Sequence, residues 1–204
     1  MRKDRDRLEK LAVAANAAIV LMGLLGLLLS GRFKLSFLWF YTVLSNLLLM
    51  ITSALYLLPQ IRKKHPRAAG VMRYSATVST SLTFVIVAAV FAPFGGGLRV
   101  LVEGRWLFQH LLCPLASVAS FIFFEREELK KTDLIPAIAP TVVYAAVLVA
   151  SNLAHAIEGP YPFFRVYGQP WYISVLWCIG ILGGTAAMAE GLMKLRSRGG
   201  VSVD

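Results

Sequence analysis

Charge is scarce in this chain, and negative charge scarcer still: only 16% of the 204 residues are charged, and 11 acidic residues stand against 21 basic ones. Cysteine occurs twice, at Cys113 and Cys178. Both lie inside apolar stretches, which argues against a disulfide framework or a CxxC metal site. No metal ion and no cofactor is expected. Low-complexity tracts, long linkers and a water-soluble segment are all missing, so residues 1–204 read as a single domain. What is present is apolar: 57% of residues are hydrophobic and the mean hydropathy is +0.67. That excludes disorder, and it is more apolar surface than a soluble fold can hide from water. The formal charge of +10 would first suggest nucleic acid in a soluble protein. With this apolar excess a membrane is the expected partner and nucleic acid is not.

A spanning helix needs roughly 20 predominantly apolar residues to cross about 30 Å of hydrocarbon. Six segments qualify, at residues 11–29, 37–58, 74–94, 106–124, 134–154 and 171–193. No alternating pattern of about ten residues suggests barrel strands, so helices must satisfy the backbone. The predicted fold class is an all-α polytopic membrane protein with six transmembrane helices. The N-terminal basic start and apolar run resemble a signal peptide, but the run continues to Leu29 and reads as a retained helix.

Lys and Arg sort unevenly among the connections. The N-terminal tail (Arg2, Lys3, Arg5, Arg7, Lys10), the second connection (Arg62, Lys63, Lys64, Arg67, Arg73), the fourth (Arg126, Lys130, Lys131) and the C-terminal tail (Lys194, Arg196, Arg198) together hold sixteen. The other three connections hold five: Arg32, Lys34, Arg99, Arg105 and Arg165. The positive-inside rule then predicts cytoplasmic N- and C-termini, with the basic face against anionic lipid. His65 falls in a basic cytoplasmic loop and reads as solvated. Aromatic residues gather at the outward ends, and the fifth connection, residues 159–170, reads as an aromatic lid resting on the outer leaflet.

Polar residues inside a span need a reason. Thr42, Ser45 and Asn46 sit at i, i+3 and i+4 of the second span and share a face. His110, Cys113, Pro114 and Ser117 form a stripe on the fourth, where Pro114 removes the partner of the His110 carbonyl and should kink the helix. On the fifth, Tyr144, Ser151, Asn152 and His155 lie within one arc, and Pro136 and Pro140 are expected to break the helix near its start. Gly180 and Gly184 on the sixth have the spacing of a close helix contact. With a rise of 1.5 Å per residue, Thr42 and His110 both fall on the order of 10 Å below the outer charged boundary. They can meet if their helices are neighbours. A threonine hydroxyl facing a neutral imidazole is a nucleophile with its base. A membrane threonine also bonds its own helix, and a histidine also serves as interhelical glue, so spacing alone leaves both readings standing.

At these residues the sequence resembles a known family. The stretch Phe40-Tyr41-Thr42-Val43-Leu44-Ser45-Asn46-Leu47-Leu48, then Gln109-His110-Leu111-Leu112-Cys113-Pro114 ending in Glu125, then Tyr161-Pro162-Phe163, is similar to the androgen-induced/androgen-dependent intramembrane threonine hydrolases and their bacterial relatives. The resemblance implies a multi-pass hydrolase of fatty acid esters of hydroxy fatty acids or similar acyl esters, with Thr42 as nucleophile and His110 as base. The chain departs from the animal enzymes at Ser45-Asn46, where those carry an acidic residue.

Under this reading Asn46 or Asn152 would donate to the oxyanion, with Ser45, Cys113 and His155 as further pocket residues. An acyl chain would slide in from the leaflet and present its ester near the headgroups. Two other classes compete. A small transporter or channel subunit would use Ser45-Asn46 and Ser151-Asn152 as corresponding sites of an inverted repeat. A non-catalytic, lipid-organising membrane protein would ask nothing of Thr42.

Overall fold

The computed structural model describes residues 2–31, 34–64, 66–125 and 129–199; His65, Arg32 and Arg126 lie outside them. The described residues are all-helical, and four helices are long and apolar enough to cross a membrane. These are 6–28 within α1 (Arg2–Leu28), 67–96 in α4 (Arg67–Ile86) and its π-helical continuation Val87–Gly96, 131–153 in α7 (Leu134–Leu153), and 171–197 in α8 (Trp171–Gly199). The predicted second and fourth spans are shorter as helices. One becomes a 3-10 turn, Leu35–Trp39, followed after a break at Phe40 by α2 (Tyr41–Leu57). The other is a π turn, Leu107–Leu112, running into α6 (Cys113–Phe123). Two short helices, α3 (Pro59–Lys64) and α5 (Arg99–Val102), complete the connections.

The surface and the interior trade places relative to a soluble protein. Leu21, Leu28, Ile135, Val143, Leu176 and Ile179 are all exposed, whereas Ser53, Thr77, Ser79, Thr80, Ser117 and Thr185 are completely buried. That distribution suits lipid outside, where Leu costs nothing, and small hydroxyl residues between helices, where they let backbones approach and bond. Helix α4 is the centre, packed against α2, α6, α7 and α8. Its hydroxyls tie it to its neighbours: Thr77 to Ser117 at 2.8 Å and Ser45 to Thr83 at 3.0 Å. Helix α1 packs on α2 and on the π turn. A Cβ at Gly26 would come 3.2 Å from the Gln109 side chain, so glycine is what permits that approach.

Prolines act differently in the two places where a break was expected. Before Pro114 the chain widens into the π turn, with Cys113 N donating to Phe108 O five residues back. This is how a helix absorbs a missing N–H. Helix α7, however, runs unbroken through Pro136 and Pro140, which corrects the expected break. Pro140 leaves the Pro136 carbonyl without its helical donor, and Ser75 Oγ of α4 supplies one at 2.9 Å. Gly180 and Gly184 are a second correction. Both are exposed, and among the described residues nothing comes within 4 Å of the Cβ that either lacks, so they mediate no close helix contact there.

The far end of α4 is held by charge. Arg73 Nε donates to Glu125 Oε1 at 2.7 Å and Arg73 Nη1 to Ser53 Oγ at 2.6 Å, with both charged side chains almost wholly buried. Arg67 Nη2 reaches both oxygens of Asp133, at 2.6 and 2.9 Å, pinning the start of α4 to the start of α7.

Candidate active site

The break at Phe40, whose backbone is extended with ψ 122°, puts Thr42 in the first turn of α2. The helix start has no side-chain cap, so its early N–H groups look for partners elsewhere. Thr42 N finds the phenol oxygen of Tyr161 at 3.4 Å. Ser45 Oγ and Asn46 Nδ2 both turn back to the Thr42 carbonyl, at 3.1 and 2.8 Å. The polar face read from the i, i+3, i+4 spacing thus exists as a hydrogen-bonded unit.

Thr42 lines a cavity of about 40 Å³. That is room for a few waters, since one water needs at least about 10–15 Å³. Its walls come from the start of α2 (Tyr41, Thr42), the end of α4 and its continuation (Leu82, Thr83, Ile86, Val87, Phe91), the middle of α7 (Thr141, Tyr144) and Ile181 of α8. Tyr161, Phe163 and Phe164 close it from the loop between α7 and α8. The lining is apolar except for hydroxyl groups. Tyr41 and Thr141 share a hydrogen bond of 2.7 Å, and Tyr144 Oη donates to the Trp39 carbonyl at 2.7 Å.

The loop therefore divides its aromatics. Phe163 and Phe164 are buried and Tyr161 stacks on Phe163 at 5.3 Å, while Tyr167 faces outward, as do Trp171 and Tyr172 at the start of α8. The lid expected over residues 159–170 caps an internal cavity with one part and leaves the other part on the surface. Asn152 fastens it, donating to the carbonyls of Ile157 (3.2 Å) and Glu158 (2.8 Å) and accepting from Val166 N (2.8 Å). Gln169 Nε2 holds the other side through the Phe163 carbonyl and Ser174 Oγ. Burial of the Tyr161 phenol pushes its pKa above the ordinary tyrosine range, against hydrogen bonds from the Thr42 side chain and from the backbone at Tyr41 and Thr42.

His110 is not among the residues that line this cavity. Its Nδ1 is bonded to the Val100 carbonyl and its ring stacks on Trp106 at 6.4 Å. A carbonyl can only accept, so Nδ1 carries the hydrogen in the neutral ring and Nε2 is the basic nitrogen. Among the described residues no hydrogen bond joins Thr42 to His110. What links their turns is Asn46, whose Nδ2 donates to the Thr42 carbonyl and to the Gln109 carbonyl at 3.0 Å.

The remaining sequence-derived residues separate. Cys113 is buried against Ile19, Leu49 and Ala76, away from the cavity lining. His155 is exposed at a positive φ of 54° and stacks on Tyr167 at 4.4 Å. Asn152 braces the lid and does not line the cavity. Sequence reasoning passed over Thr83 and Thr141, although six hydroxyl residues between Ser75 and Thr83 already mark that stretch as an interhelical face.

Fold and site together define the class: a protein all-helical over its described residues, with four helices long and apolar enough to cross a membrane and a small, hydroxyl-studded cavity under an aromatic lid. No protein-family model, no curated protein and no solved structure matches the chain.

Proposed function

We propose that the protein is an intramembrane hydrolase of fatty-acyl esters, with Thr42 as nucleophile and His110 as base. The observation that carries this reading is Thr42 on the wall of an apolar, aromatic-lidded cavity at one end of the bundle. It offers an ester group a hydroxyl in apolar surroundings, with room for a few atoms of the substrate and the rest of the acyl chain outside the cavity. The preset tautomer of His110 and the Asn46 bridge between the two turns support the pairing. So does the resemblance to intramembrane threonine hydrolases acting on fatty acid esters of hydroxy fatty acids. Joining the two groups in a reaction requires Nε2 to reach Thr42 directly or through one water, a geometry that tightens when substrate enters.

The membrane arrangement behind this reading has six spans. Helix α2 has 17 residues, about 26 Å at 1.5 Å per residue, close to the hydrocarbon thickness. The π turn with α6 is of similar length. The sixteen-to-five split of basic residues favours both termini in the cytoplasm of a bacterial plasma membrane, with anionic lipid at that face and the cavity toward the outer leaflet.

One observation favours a second reading, a small transporter or channel subunit. Buried polar groups follow α4 from Thr83 through Thr80 and Thr77 to Arg73, a path a transported proton or ion could use. The deciding experiment is labelling of detergent-purified protein with an alkyl fluorophosphonate, with hydrolysis of a p-nitrophenyl acyl ester measured in parallel. Labelling and hydrolysis that disappear in Thr42→Ala and fall at least a hundredfold in His110→Ala are expected. Labelling that persists in Thr42→Ala overturns the nucleophile, and a wild type that neither labels nor hydrolyses favours transport.

A further inference from the structure

An acyl transfer at Thr42 needs a hydrogen-bond donor for the charge that develops on the ester carbonyl oxygen, and the structure narrows the choice by counting protons. A side-chain amide has two N–H groups. Asn46 spends both on the carbonyls of Thr42 and Gln109, and Asn152 spends both on the carbonyls of Ile157 and Glu158. Neither amide has a donor left for a substrate. Of the hydroxyls on the cavity wall, Tyr144 has given its proton to the Trp39 carbonyl. Thr83 gives its proton to the Ser79 carbonyl at 3.2 Å and lies 3.0 Å from Ser45 Oγ. Tyr41 and Thr141 share one bond, which uses one of their two protons, and among the described residues neither is hydrogen-bonded to Thr42.

Tyr161 is different. Its oxygen accepts from Thr42 N–H, and no carbonyl takes its proton among the described residues. It stands at the backbone of the proposed nucleophile itself and lines the same cavity. We infer that Tyr161 is the oxyanion donor of this site, carried to Thr42 by the aromatic lid. The inference rests on the reading of Thr42 as nucleophile given above.

The chemistry balances with water as the one co-reactant. Thr42 Oγ1 forms a bond to the ester carbonyl carbon, the π pair moves onto the carbonyl oxygen, and the hydroxyl proton passes to His110 Nε2. Tyr161 donates a hydrogen bond to that oxygen and keeps its proton. The N–H groups at the start of α2 add positive potential on the same side. Collapse restores the carbonyl, breaks the bond to the alcohol oxygen and returns the proton from His110 to the departing alcohol. Water then attacks the acyl carbon and gives its proton to His110 Nε2; collapse breaks the bond to Thr42 Oγ1, which takes that proton back as the fatty acid leaves. Burial suits Tyr161 to this role, because a phenol that resists ionisation remains a donor. Asn152 is a positioning residue, acting through the loop it fastens.

The test is Tyr161→Phe, which removes one oxygen and keeps the stacked ring. With p-nitrophenyl decanoate as substrate, kcat is expected to fall about a hundredfold while KM stays within about threefold, since an oxyanion donor acts in the transition state. Inhibition by an alkyl trifluoromethyl ketone, which forms a tetrahedral adduct, should weaken by a similar factor. Tyr167→Phe, in the same loop but outside the cavity, should leave both unchanged. A monodisperse Tyr161→Phe protein with kcat within threefold of wild type overturns the assignment of Tyr161 and leaves Thr42 standing. If wild-type protein neither hydrolyses the ester nor labels, the nucleophile reading falls and this inference with it.

Discussion

Two polar clusters lie along α4, and they are built on opposite principles. At one end Arg73, Glu125, Ser53 and Ser120 form a charged knot with bonds of 2.6 to 3.4 Å around nearly inaccessible side chains. The space beside it, about 10 Å³, is scarcely enough for one water. At the other end Thr42, Thr83, Thr141, Tyr144 and Tyr161 are neutral, surround a cavity four times larger and are covered by a loop. Charge in a low-dielectric interior must be paired at once, so it serves to hold helices together. Neutral hydroxyls can be buried with a proton to spare, and they leave room for a guest.

The comparison breaks most visibly if the charged knot can be cut cheaply. Arg73→Ala removes the cation from beside the buried Glu125 carboxylate and should cost about 3–5 kcal/mol, read as a shift in the detergent-unfolding midpoint. The paired replacement Arg73→Met with Glu125→Leu should restore most of that loss. A smaller effect is expected at the lid: Asn152→Ala removes three hydrogen bonds, for about 1–3 kcal/mol. Amide exchange across residues 157–166 should quicken while exchange in α4 stays unchanged. If both regions respond equally, the lid is not a separate unit. Ser75→Ala, which takes the substitute donor from the Pro136 carbonyl, should cost about 0.6 kcal/mol, the usual scale of a hydrogen bond between membrane helices. Smallest of all in stability is Thr42→Ala, expected within about 0.5 kcal/mol of wild type. A large destabilisation there would recast Thr42 as a structural residue.

Much of this was legible in the chain. The apolar runs located every long helix, and the spacing of Thr42, Ser45 and Asn46 identified a shared face that the structure closes around the Thr42 carbonyl. Local spacing could not separate Asn152 and His155, which lie three residues apart. One turns in to brace the lid, and the other sits at a positive φ on the surface. It likewise could not tell that Pro140 would be tolerated, because the compensating donor, Ser75, comes from another helix 61 residues away. The outward direction of Gly180 and Gly184 was also beyond it, since the face a helix buries is set by its neighbours.

What the sequence determined alone is the helices: its apolar runs give four that are long and apolar enough to cross a membrane, and backbone hydrogen bonding in lipid admits only helices or a closed barrel. The tertiary structure decided which hydroxyls meet. Tyr161 stands 119 residues from Thr42, joined to it by no periodicity, and Thr83 and Thr141 reach the same cavity from two other helices. The reason is physical. Helix formation is a local property of the backbone, whereas a cavity is the space left where several helices and a loop fail to touch.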